Sequence, residues 1–185
     1  MQCNYLDLGL TFTIYRTTIK VSIDTKENAV ETSSIESELE VNTYLANLRY
    51  ALDRGAVIKV QIERRVDEGR DEKYTNAFTL TSLFQKEDLE MVIKRELKSL
   101  EKEDYIRTVK DIRFPKRSEM REFGKLYNGT EEIYIKIRVE LLGEQVFGEH
   151  MVFVMSFHYS TVPFSDITFP YKKQGGCHEN FEKRI

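Results

Sequence analysis

The chain has 185 residues, with 28 Lys and Arg against 31 Asp and Glu, a net charge of −3, three His, two Cys and no Trp. That length suits one compact domain with an appended segment, able to fold without disulfides or a structural metal. Cys3 and Cys177 lie far apart with no C-x-x-C spacing, which excludes a zinc ribbon or thioredoxin-type site and points to a reducing, cytoplasmic setting.

Residues 5–23 alternate apolar and polar side chains at Phe12, Ile14, Ile19, Val21 and Ile23, the pattern of half-buried strands, with no basic leader of the secretory kind before them. Residues 25–40 are polar and acidic and read as a linker or a loose helix, so the chain divides into N-terminal strands and acidic linker (1–40), a main domain (41–160) and a tail (161–185). Asn42 or Thr43 is a suitable N-cap for a helix carrying Leu45, Leu48, Ala51 and Leu52 and stopped by Gly55. Residues 56–62 read as a strand, the turn chemistry at 67–71 predicts a hairpin, and residues 73–80 read as its returning arm.

Leu80, Leu83, Leu89, Val92, Ile93, Leu97 and Leu100 recur at helical spacing, and Lys86-Glu87-Asp88 opens a helix. Glu103-Asp104 predicts a third short helix carrying Tyr105, Ile106 and Val109, with Pro115 ending any helix before it. Residues 133–142 and 151–159 both alternate strictly and predict an antiparallel hairpin closed by the loop at 143–150. No apolar run reaches the roughly 18 residues of a membrane span. The fold class implied is α+β: an antiparallel sheet with helices packed on one face, extended by N-terminal strands.

Charge is unevenly placed. Asp24, Glu27, Glu31, Glu36, Glu38 and Glu40 stand against Lys26 alone, whereas Arg107, Lys110, Arg113, Lys116, Arg117, Arg121 and Lys125 outnumber Asp111, Glu119 and Glu122. The second cluster suits a polyanion such as RNA. Nucleotide-binding glycine loops, the serine-hydrolase elbow and the zincin motif are all missing, and His150, His158 and His178 lack close metal-ligand spacing, so no metal or cofactor is expected. What remains is a set of cationic and phenolic side chains around the hairpin: Arg107, Arg113, Arg117, Arg121, Lys125, Tyr127, Tyr134, Lys136, Arg138 and His158. If the hairpin pairs even with even positions, Tyr134 faces His158 on the side that carries Lys136 and Ser156. Such groups suit metal-independent cleavage of RNA, in which one group takes the 2′-OH proton, another protonates the leaving oxygen and cations stabilise the phosphorane. Tyr134, His158 and Arg107 are the catalytic candidates; Lys125, Lys136, Arg121, Arg117, Arg113 and Tyr127 are the phosphate and RNA-binding candidates.

Several segments resemble the motility quorum-sensing regulator (MqsR) toxins, ribonucleases of toxin–antitoxin systems with a RelE-like fold. They are Leu48-x-x-x-Leu52-x-x-Gly55, Val92-Ile93, Leu97-x-x-Leu100, Glu103-Asp104-Tyr105-Ile106-Arg107-Thr108, Phe123-Gly124-Lys125-Leu126-Tyr127, Ile133-Tyr134-Ile135-Lys136 and Val154-Met155-Ser156-Phe157-His158. The resemblance covers about residues 44–159, with an insertion at 60–73. It implies that Arg107 stands at a functional lysine, Tyr134 at the functional tyrosine and His158 where a lysine follows Ser-Phe. Gly124 falls at a functional glutamine, a role that Arg121 or Lys125 would have to supply. The partners implied are RNA and an antitoxin. The competing expectation is a non-catalytic inhibitor from a phage or mobile element, of anti-CRISPR type, that binds a host nucleoprotein or nuclease, with the acidic stretch mimicking nucleic acid.

Overall fold

The computed structural model of the chain describes residues 20–22, 31–62, 71–142 and 150–172. Expectations for Cys3, Cys177, His178, the residues before Lys20, the turn residues 67–70, the loop at 143–149 and the tail after Lys172 lie outside those residues. The fold class is α+β. Its sheet contains, in chain order, β1 (Lys20–Ser22), β2 (Glu31–Ser34), β3 (Val57–Val60), β4 (Tyr105–Asp111), β5 (Met120–Tyr127), β6 (Glu131–Glu140) and β7 (Met151–Tyr159), and their spatial order is β1-β2-β4-β5-β6-β7-β3. Every neighbouring pair is antiparallel except β3 with β7, which is parallel. The sheet is therefore mixed, and the expectation of an antiparallel sheet is corrected at that edge.

Three helices accompany it: α1 (Glu38–Asp53), α2 (Asn76–Leu83) and α3 (Leu89–Lys98). α1 starts before the expected caps Asn42 and Thr43, because Ser37 and Glu40 form a capping box. The Glu40 amide donates to Ser37 Oγ at 3.3 Å, and the Ser37 amide donates to Glu40 Oε2 at 2.7 Å. Gly55, at φ 77°, ends the helix in the left-handed region that favours glycine. The supposed linker is thus ordered in its second half, and the boundary drawn at residue 40 falls inside α1. Glu31–Ser34 pairs with β4, from Glu31 opposite Asp111 to Ser34 opposite Thr108.

Two further expectations give way to local chemistry. Residues 73–80 do not return as a strand: Asp71 caps a 3-10 turn at Glu72–Tyr74, and Thr75 caps α2. Nor do Tyr105, Ile106 and Val109 lie on a helix; they lie on β4 after a 3-10 turn at Lys102–Asp104, because their side chains find β2 and β5 alongside. The β6–β7 hairpin pairs as expected, with Ile135 opposite Phe157 and a bulge after Lys136.

The core lies on one face of the sheet. Val41, Leu45, Leu48 and Leu52 of α1 and Ile93 and Leu97 of α3 pack with Phe123, Ile133, Ile135, Ile137 and Phe157 of the strands. β3 stops beside Val154, so the rest of β7 would present an unpaired edge. Side chains of α2 satisfy it. Asn76 Nδ2 donates to the carbonyls of Gln61 and Met155 at 2.8 and 3.0 Å, Asn76 Oδ1 accepts from the Phe157 amide at 2.7 Å, and Thr79 Oγ1 accepts from the Tyr159 amide at 3.1 Å. Asn76 is buried, so its removal strands an amide and two carbonyls away from water. Asn76→Ala is expected to lower stability by about 3 kcal/mol in urea unfolding; a loss below about 0.5 kcal/mol would mean that water satisfies this edge instead.

Candidate functional site

The face of the sheet opposite the helices carries the even-numbered residues of β5 and the first half of β6. Pairing places them in two rows across the strands. One row runs Arg107, Glu122, Lys136, Ser156; the next runs Gly124, Tyr134, His158. Arg107 Nε lies 2.7 Å from Glu122 Oε2, and Lys136 Nζ lies 3.3 Å from Glu122 Oε1 and 3.0 Å from Glu31 Oε1 on β2. Glu122 is 2% exposed, Lys136 and His158 are 7% exposed, and Arg107 is exposed. A carboxylate this deep is tolerated because two cations and a phenol surround it.

The phenol is that of Tyr134. Burial and then the Glu122 carboxylate, to which its hydroxyl donates, push it well above its usual value near 10, with Arg107 opposing. It is therefore a proton donor at neutral pH. Its ring centroid lies 5.5 Å from that of His158. His158 Nδ1 is 2.8 Å from the Tyr159 carbonyl, which can only accept, so Nδ1 carries a proton.

These groups form the floor of a cleft of about 660 Å³. Ile35 and Ile106 line it, together with Ser160 and, from the segment assigned by sequence to the tail, Thr161, Val162, Asp166, Ile167 and Thr168. This C-terminal strap is held to the sheet: the Ser160 amide donates to the Glu132 carbonyl at 2.7 Å, the Phe164 amide donates to Glu132 Oε2 at 2.9 Å, and Tyr171 donates to the Glu36 carbonyl. Phe164 and Phe169 meet edge to face at 5.2 Å over Gly124, where a Cβ would come within 2.8 Å of both rings. The glycine at that position makes room for the strap.

The structure thus brings Arg107, Tyr134, Lys136 and His158 together and separates the rest of the sequence-derived set. Arg121, Lys125 and Tyr127 occupy odd positions of β5 and point to the helix side. Arg121 pairs with Glu36 at 2.5 Å and lies 4.4 Å from the Tyr44 ring centroid, Lys125 bonds Ser99, and Tyr127 donates to Glu96 at 2.9 Å. None of the three can replace a side chain missing at Gly124. Arg113 is held by Asp111 at 2.8 Å within its own turn, and Arg117 lies against the Phe114 ring in the β4–β5 turn, beside the cleft. Sequence reasoning missed Glu122 and Glu31. Glu122 was counted against the surrounding bases, and residues 120–127 carry no apolar–polar alternation that would have marked it as facing into the sheet.

Among the described residues, no cluster of three or more His, Cys, Asp or Glu is disposed to hold a metal ion, and no helix is long and apolar enough to cross a membrane. Comparison with protein-family models, curated proteins and solved structures finds no match to this chain.

Two outcomes follow from the buried network. Glu122→Ala leaves Lys136 and the Tyr134 hydroxyl facing a void, and is expected to cost about 3–5 kcal/mol in denaturant unfolding; a cost under about 1 kcal/mol would show the network to be hydrated. Tyr134 has a folded pKa above its unfolded value, so its contribution is complete below pH 10 and is lost as pH rises through the folded pKa. Above pH 10, wild-type stability should fall more steeply than that of Tyr134→Phe, by about 1.4 kcal/mol per pH unit. Parallel curves would refute the assignment.

Proposed function

We propose that this chain binds single-stranded RNA and cleaves it without a metal, as an endoribonuclease of the toxin type with a RelE/MqsR-like arrangement. The observation that carries the reading is the convergence of Arg107, Glu122, Tyr134, Lys136 and His158 on one cleft. In this mechanism His158 Nε2 takes the proton of a ribose 2′-OH, and the 2′ oxygen attacks the adjoining phosphorus. The Arg107 guanidinium and Lys136 ammonium stabilise the added charge on the phosphorane oxygens. The Tyr134 phenol gives its proton to the departing 5′ oxygen, and the phenolate regains one from protonated His158 or water. Glu122 touches no reacting atom; it holds Arg107, Lys136 and Tyr134 in place. The family resemblance at Tyr134 and around residues 103–108 and 154–158 supports the same reading.

One observation favours a second reading, the non-catalytic inhibitor: both floor cations already have carboxylate partners, so the cleft has no free positive charge to offer before Glu31 or Glu122 gives way. Incubating purified protein with bulk RNA in chelator separates the two. The nuclease reading expects cleavage, reduced about 10²-fold or more in both Tyr134→Phe and His158→Ala. Equal cleavage in both variants would remove these residues from the mechanism, and absence of cleavage together with capture of a defined nuclease would establish the inhibitor.

A further inference from the structure

A second cavity adjoins the cleft. It is small, about 60 Å³, and lies between the β4–β5 turn and the open face of the sheet. Lys110, Arg117, Lys136 and Arg138 line it, with Glu31 and Asp111 as its acids and Phe114 at its side. Asp111 is taken up by Arg113, and Arg138 lies 2.8 Å from Glu140. Among the described residues neither Lys110 nor Arg117 has a carboxylate partner: Lys110 donates to the Arg117 carbonyl, and Arg117 stacks 4.2 Å from the Phe114 centroid. Glu31, Lys136 and Met155 line both cavities, so the two are adjacent, and Glu31 stands between them with its carboxylate on Lys136.

We propose that this cavity is a second phosphate subsite, so that the protein binds RNA as an extended single strand with one phosphodiester over Tyr134 and His158 and a neighbouring phosphate between Lys110 and Arg117. The proposal rests on the nuclease reading of the cleft and adds the length and path of its substrate. Several features support it. The cavity has the size of a phosphate group rather than a base. Of its two cations without a carboxylate partner, Lys110 stands on β4 and Arg117 in the turn that follows, beside a Phe114 that is 43% exposed and could flank a base. A strand crossing from one cavity to the other passes Lys136, where its phosphate replaces the carboxylate of Glu31. Glu31 thus occupies an anion position in the free protein, and its side chain, 38% exposed, is able to leave it.

The test measures binding of a dinucleoside monophosphate, which has one phosphate, and of a labelled oligouridylate of about eight nucleotides, in chelator at several salt concentrations. Lys110→Ala combined with Arg117→Ala changes a half-buried residue of β4 and an exposed residue of the turn, neither of them in the core. The double variant should weaken oligouridylate binding about tenfold and flatten its salt dependence by about 0.7 in the log–log slope, while leaving the dinucleoside monophosphate unaffected. Glu31→Gln should tighten both. If the wild type binds oligouridylate and the double variant matches it in affinity and slope, the subsite is wrong and the cleft reading stands. Equal weakening of both ligands would make the effect one of general charge and would also overturn the subsite. If the wild type binds neither ligand at low salt, the cleft reading itself falls and takes the subsite with it.

Discussion

Glu122 sits in the middle of a β-sheet with 2% of its surface exposed, and the geometry of the open face follows from how that charge is accommodated. An isolated carboxylate in such a place would cost several kcal/mol, so the strands must bring it donors. Pairing does this without any loop: β4 supplies Arg107 directly opposite, and β6 supplies Lys136 on the other side. A one-residue slip between β5 and β6 would send Glu122 against the apolar residues of the opposite face and expose Ile135. The polar network and the apolar core therefore specify the same register from the two faces of one sheet.

Segments remote in the sequence frame this network. Glu31 reaches Lys136 from β2, and the strap at 160–172 passes over Gly124 to anchor Tyr171 at Glu36. The open face is consequently a cleft with walls rather than a bare sheet. Walls matter chemically: they exclude water and strengthen each charge interaction within, and the buried Tyr134 phenol keeps its proton for the same reason. They also mean that the cleft is nearly balanced in charge, so any anion entering it competes with the chain's own carboxylates.

The acidic stretch shows how little a local charge count says about purpose. Its described acids are all committed within the molecule: Glu31 to Lys136, Glu36 to Arg121, Glu38 to Lys102 and Glu40 to the capping box with Ser37. The basic stretch behaves alike. Arg107 and Arg121 meet acids distant in the sequence and Arg113 meets its neighbour Asp111, while among the described residues Lys110 on β4, Arg117 in the turn and Lys125 on β5 pair with no acid. Solvated faces and buried networks have the same composition when read in one dimension.

The period-two pattern of residues 133–139 and 151–159 was legible in the sequence, and with it the hairpin and the meeting of Tyr134 with His158, because alternation fixes which side chains share a face once two strands pair. The helical spacing of Leu45, Leu48 and Leu52 and the stop at Gly55 were equally readable, being local. The strand character of residues 105–111 and 120–127 was not, since Glu122, Gly124 and Lys125 interrupt any simple alternation and only β2, β4 and β6 alongside make it intelligible. Nor could the sequence separate Arg107 and Lys136 from Arg121, Lys125 and Tyr127, all of the right chemistry. That was decided by which face each position takes, and by segments as remote as residues 31 and 160–172, whose contacts arise only when the sheet brings distant strands together.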